Sequence, residues 1–160
     1  MQLVILALLA CGGDSGPNEA SARASLEALR PAFDDIRKQV DAGLGAVSQY
    51  EEMDCTAMME GMREMCQAQA AAQAEEADKQ VLAFRDNVMA PISRRDDVIS
   101  IGCFQGETYL GGEPEPPAGA APETVDVDGL TLGWGTFGER AGIRISWTTD
   151  DRHCDIYLQS

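Results

Sequence analysis

Five cysteines, seven methionines and one histidine carry the most specific chemistry in this 160-residue chain. Met53, Met58, Met59, Met62 and Met65 fall within 13 residues, interleaved with Cys55 and Cys66. Thioether and thiolate sulfurs are soft ligands that select Cu(I). Met59, Met62 and Met65 are three apart, so on a helix they form one side stripe, and Met58 joins them as a candidate ligand. The plainer alternatives are packing at a helix tip or an adaptable contact surface. If the cysteines are oxidised, only thioethers remain and metal affinity falls. His153 has no second histidine to join it as a metal ligand, and is most simply a strand-edge residue. Asp126-x-Asp128-Gly129 shares residues with calcium loops but lacks the later ligands and the terminal Glu. Nothing in the sequence asks for a cofactor.

Acidic residues outnumber basic ones 27 to 12, for a net charge of -15 and a pI near 4.2. A phosphate-binding surface needs clustered Lys and Arg, so this balance argues against nucleic-acid binding. It argues equally against holding an anionic membrane by charge. Residues 11–100 carry 17 acids and 9 bases, and residues 101–160 carry 10 and 3, so the acidity is not a tail. Glu51, Glu52, Asp54, Glu60, Glu64, Glu75, Glu76 and Asp78 make the helical half acidic. A solvated helix face is the default reading, and a docking surface for a cationic protein partner is the alternative. Catalytic acid pairs cannot be picked from such abundance, because they are defined by spacing in three dimensions.

The fifth cysteine has a separate explanation. Residues 1–10, MQLVILALLA, carry no charge and are too short to span a bilayer, which needs about 20 apolar residues. They match the core of a signal peptide. Leu8-Leu9-Ala10-Cys11 resembles the lipobox of bacterial lipoproteins, and the resemblance covers residues 1–17. It implies cleavage before Cys11, lipidation of Cys11 and membrane attachment through the acyl chains, each buried CH₂ contributing about 0.8 kcal/mol. Gly12, not Asp, follows the cysteine, which under the enterobacterial sorting rule implies the outer membrane. Gly12-Gly13-Asp14-Ser15-Gly16-Pro17 suits a flexible tether over residues 11–17. Part of it looks like the nucleophile motif of trypsin-like proteases with one Gly missing. A tether cannot hold Ser15 against His153 in fixed geometry, so no catalytic residue is assigned and the protein reads as non-enzymatic.

The elements that position these residues fall into two halves. Residues 18–90 are rich in helix formers. Leu26, Leu29, Phe33, Ile36, Val40, Leu44 and Val47 lie on one helical face. Asn18 or Ser21 caps the start, Pro31 predicts a kink or a fresh start, and Ala90-Pro91 predicts a stop. On one continuous helix Cys55 and Cys66 would stand about 16 Å apart, whereas a disulfide needs Cα atoms about 4–7 Å apart. A helical hairpin turning at Gly61 brings them level and sets Val40 against Val81, Phe33 against Val88, and Leu44 against Ala77.

Residues 98–160 hold most of the aromatics and read as strands and turns. Val125-Asp126-Val127-Asp128-Gly129-Leu130-Thr131-Leu132 predicts a type I′ hairpin. Ile99, Ile101 and Cys103 form one inward face; Ile143, Ile145 and Trp147 a second; Cys154, Ile156 and Leu158 a third. Residues 111–122 read as a mobile loop. Trp134, Trp147, Tyr109 and Tyr157 either line a ligand face or fill the core, and alternation favours core for the tryptophans. Of the three connectivities open to four cysteines, Cys55–Cys66 and Cys103–Cys154 are favoured, in a compartment outside the cytoplasm.

The expectation is an α+β protein: a long N-terminal helical hairpin followed by a small antiparallel sheet of about four or five strands. It is expected in the cell envelope, held to the membrane by lipidated Cys11. Its role is that of an interaction or structural module with a protein partner at the Met-rich tip or the acidic helix face. The alternative is a periplasmic ligand or Cu(I) binder using Met58, Met59, Met62 and Met65.

Overall fold

The computed structural model describes residues 18–47, 53–112, 123–137 and 139–159. The lipobox-type signal and tether at 1–17, including Cys11 and Ser15, lie outside the described residues, as do Glu51, Glu52 and 113–122.

Helix α1 spans Glu19–Gly45 and α2 spans Glu60–Phe84. A π-helical turn over Arg85–Met89 leads from α2 into a short α3, Ala90–Ser93. Six strands follow: β1 Val98–Gln105, β2 Thr108–Gly112, β3 Thr124–Val127, β4 Leu130–Phe137, β5 Arg140–Thr149 and β6 Arg152–Gln159. They form one antiparallel sheet in the order β2-β1-β6-β5-β4-β3. The class is α+β, with six strands in place of four or five.

Local chemistry explains α1. Asn18 has extended backbone, its Oδ1 accepts from Ser21 N–H, and its own N–H donates to Ser21 Oγ, a closed capping box. The helix does not restart at Pro31. Pro31 is exposed, so the carbonyl that loses its helical donor can turn to water. Ala22, Leu26, Phe33, Ile36, Val40 and Leu44 are buried along one stripe.

That stripe lies on the sheet. At the helix N-terminal end Arg23 reaches Asp128 in the β3–β4 turn at 3.1 Å. At mid-helix the Phe33 ring meets Trp147 edge-on with centroids 5.6 Å apart. At the C-terminal end, buried Arg152 donates to the carbonyls of Leu44 and Val47. Arg95 bridges Asp97 and Asp35 at 2.9 and 3.4 Å and joins α1 to the chain entering β1. One hydrophobic core therefore contains α1, the π-helical turn and the inner face of the sheet.

The second helix departs from the expected hairpin. Cys66 and Phe84 are its only buried residues among those described. Gly43 of α1 approaches Phe84 and Val88 so closely that a Cβ there would stand 2.8–3.0 Å from their side chains. The expected register, which set Phe33 against Val88, is corrected: Gly43 lies there instead. Phe33 packs on Trp147 instead, because the sheet occupies the α1 stripe. The turn is not at Gly61, which lies in the first turn of α2. The helix also does not stop at Ala90-Pro91. The Ala90 N–H reaches back to the Arg85 carbonyl, five residues away, and this wider turn carries the chain past Pro91.

In the sheet, Asp128 (φ 52°) and Gly129 (φ 77°) form the positive-φ turn, with Val127 opposite Leu130 and Val125 opposite Leu132. Ile143, Ile145 and Trp147 are buried, as are Cys154, Ile156 and Leu158. β1 requires a correction. Its pairing with β6 slips between Val98 and Ser100, so Val98 is buried and Ile99 is half-buried. An extra residue in one strand turns its neighbours to the other face, which strict alternation cannot anticipate. The reading of 111–122 as a loop is corrected at its start. Gly111 and Gly112 end β2, where a Cβ would meet Arg85 and Met89 at 3.0–3.2 Å or the Ile101 carbonyl at 1.9 Å. Close approach, not flexibility, is the use of glycine there.

Arg152 offers a direct check on this helix–sheet joint. Its guanidinium satisfies two carbonyls where α1 ends and places positive charge at the negative end of the helix. Arg152→Met is expected to cost about 3 kcal/mol in urea unfolding, because buried carbonyls lose charged donors. Arg152→Lys is expected to recover less than half, since one ammonium cannot reproduce the two-pronged fork.

Candidate functional site

The Met-rich segment forms the start of α2 and the loop that enters it. Asp54 opens the loop with an Asx turn, its Oδ1 accepting from Thr56 N at 2.9 Å and Thr56 Oγ1 at 2.6 Å. The Thr56 hydroxyl, then the Thr56 N–H, hold the Asp54 carboxyl below its ordinary range. Met59 is the N-cap, with extended backbone, and its carbonyl accepts from Met62 N and Arg63 N. Arg63 bends back, donating to the Met58 and Thr56 carbonyls at 3.0 and 3.4 Å. Cys55 in this loop is bonded to Cys66 on the second turn of α2, with Cα atoms 5.8 Å apart. The bond therefore staples a loop onto one helix, where the hairpin reading had set helix against helix.

This staple orders the tip without covering it. Met59 is 78% exposed, Met62 54% and Met65 73%, whereas Met58 and Met53 are half-buried. Three of the four candidate metal ligands are therefore exposed, and Met58 is half-buried. Glu60, Glu64, Glu75, Glu76 and Asp78 are exposed along the same helix. Lys79 pairs with Glu75 at 2.8 Å. Among the described residues no group of three His, Cys, Asp or Glu side chains could hold a metal ion.

The remaining candidates are committed elsewhere. Asp126 accepts from Thr131 Oγ1 at 2.6 Å, and Asp128 pairs with Arg23 at 3.1 Å and Arg30 at 3.6 Å. Cys103 and Cys154 are bonded to each other across β1 and β6, fully inside the core. The four aromatics do not share one face. Trp147 is buried and Trp134 packs beside the same core. Tyr109 and Tyr157 stand on the outer face, Tyr109 beside Phe104 with ring centroids 5.3 Å apart.

That outer face carries a polar cluster which sequence reading missed. Asp155 accepts from Arg144 Nε at 3.0 Å, Arg144 Nη2 at 2.8 Å and Ser146 Oγ, and lies 3.2 Å from His153 Nε2. Burial pushes the Tyr157 hydroxyl up, against the opposing pull of Arg144. The outward alternation Arg144, Ser146 with His153, Asp155, Tyr157 was the signal available. His153 is not on an edge strand, since β6 lies between β1 and β5. Asp155 stands between Ser146 and His153, so the imidazole cannot take the serine proton and the trio does not make an activated nucleophile.

A cleft of about 400 Å³ lies between α2 and the β1–β2 hairpin, lined by Val47, Ala74, Ala77, Val81 and Leu110 with Asp78 at its side. No helix among the described residues is long and apolar enough to cross a membrane. No family model, curated protein or solved structure matches this chain.

Proposed function

We propose that this protein is a non-enzymatic, lipid-anchored component of the bacterial cell envelope that works as an interaction module. The observation that carries the reading is the open row of Met59, Met62 and Met65 on a stapled, otherwise polar helix end. Exposed thioethers contribute nothing to a core, and they form surfaces that adapt to a partner. The lipobox-type sequence around Cys11 supports the anchor, and disulfides persist outside the cytoplasm. The anchor would set the domain at the membrane by its N-terminus, and Gly12 after the cysteine favours the outer membrane under the enterobacterial sorting rule.

The test uses the full-length protein in native envelopes, with a photo-crosslinking residue at Ala68 near the row or at Lys38 on α1. A discrete crosslinked species is expected from position 68 and not from 38, and it should vanish in Met59→Ser/Met62→Ser/Met65→Ser. Equal labelling from both positions, or indifference to the triple variant, would remove the reading. Cys11→Ser should release the protein from the membrane fraction, and retention there would remove the anchor. The same open thioethers favour one second reading, a soft Cu(I) site. Anaerobic titration showing saturable Cu(I) binding that the triple variant lacks would put that reading first.

A further inference from the structure

We infer that the partner seated on the helix tip is a basic amphipathic helix. This rests on the reading of the tip as a contact surface and assigns its chemistry. Successive residues of α2 turn about 100° around the axis. Cys66 and the half-buried Ala70, Ala74, Ala77 and Val81 mark the side that faces the protein body. Opposite them, exposed Ala68 and Ala72 form a low ridge. Met62 and Met65 rise on one flank of that ridge, and Glu60 and Glu64 on the other.

Each feature fits one part of such a helix. Alanine ridges allow helix axes to approach to about 8 Å. The methionine flank takes an apolar stripe, as in other helix-in-groove complexes. The glutamate flank takes Lys or Arg. Neither Glu60 nor Glu64 has a cationic partner among the described residues. Arg63 is turned back to the loop carbonyls and Lys79 is held by Glu75, so local cations do not cancel this flank. A second copy of the chain, at net charge -15, would bring like charges together, and an anionic bilayer would do the same.

Fluorescence anisotropy with the detergent-solubilised full-length protein tests this. The probes are synthetic Leu/Lys and Leu/Glu amphipathic helices of about 18 residues, long enough for five turns. The Leu/Lys helix should bind saturably and weaken steeply between about 0.05 and 0.5 M salt, while the Leu/Glu helix should not bind. Met62→Ser/Met65→Ser should weaken binding about tenfold, as loss of an apolar anchor does. Glu60→Gln/Glu64→Gln should weaken it similarly and flatten the salt dependence, with circular dichroism confirming that both variants fold. Equal binding of both probes would overturn the inference, as would indifference to either double variant. So would dimerisation in sedimentation that Met62→Ser/Met65→Ser abolishes, since a second copy would then be the occupant. A crosslink at position 68 in envelopes together with no Leu/Lys binding would remove the basic helix and leave the contact surface standing. Loss of that crosslink would remove both.

Discussion

Cys103→Ala/Cys154→Ala is expected to lower unfolding stability by about 4 kcal/mol, the chain-entropy value for a loop of this size. The bond closes a separation of 51 residues, and its Cα atoms face each other directly across the β1–β6 ladder. Both sulfurs lie within the core, so the alanines also leave a small void beside Ile101 and Ile156. The ladder hydrogen bonds remain, and the variant is therefore expected to fold, with a lower urea midpoint and a similar m-value. Cys55→Ala/Cys66→Ala is expected to behave differently. It closes only 11 residues at a tip with few core contacts, so fraying of the 53–59 loop under limited proteolysis should exceed any global loss. Equal global losses from the two double variants would show that the tip belongs to the cooperative core.

Trp147→Ala is expected to cost about 4 kcal/mol, as large-to-small changes of buried aromatics do. Trp147 is buried on β5, packs edge-on against Phe33, and donates from Nε1 to Asp41 Oδ1 at 3.0 Å. Thr149 Oγ1 donates to the same oxygen at 2.9 Å, and Arg37 approaches the other at 3.4 Å. These contacts, at Phe33 and Asp41, pin the C-terminal half of α1 to the sheet. Hydrogen exchange along α1 should rise before the strands respond, because local opening follows the weakened contact. Trp147→Phe keeps most of the apolar contact and removes the donor, so it should cost about 2 kcal/mol, the range for a hydrogen bond to a charged acceptor. A loss below about 1 kcal/mol for the alanine variant in urea unfolding would show that α1 is not held there.

Much of this fold was legible where a few neighbouring residues decide the outcome. The Asn18 cap, the buried stripe of α1 and the Asp128-Gly129 turn follow from side-chain reach, helical period and positive φ. β2 was not legible as a strand, because its glycines resemble a loop until Arg85, Met89 and Ile101 are seen packed against them. Ile99 was assigned inward because alternation has no knowledge of a bulge. The candidate site was legible as a spacing of methionines but not as a surface. A Met row at helical spacing is core when another element lies on it and a contact face when none does.

By itself, the sequence determined the α+β class, the acidity, the α1 face and the hairpin turn, since these arise from composition and from interactions a few residues long. Only the tertiary structure decided where α2 goes. Its alanine-rich surface matches many registers almost equally, whereas the bulky stripe of α1 has one good partner, the inner face of the sheet. With that stripe taken, the second helix meets α1 near Gly43 and leaves its methionine-bearing end open. The same assembly placed Asp155 between Ser146 and His153, a relation set by strand register across β5 and β6 that no single segment contains.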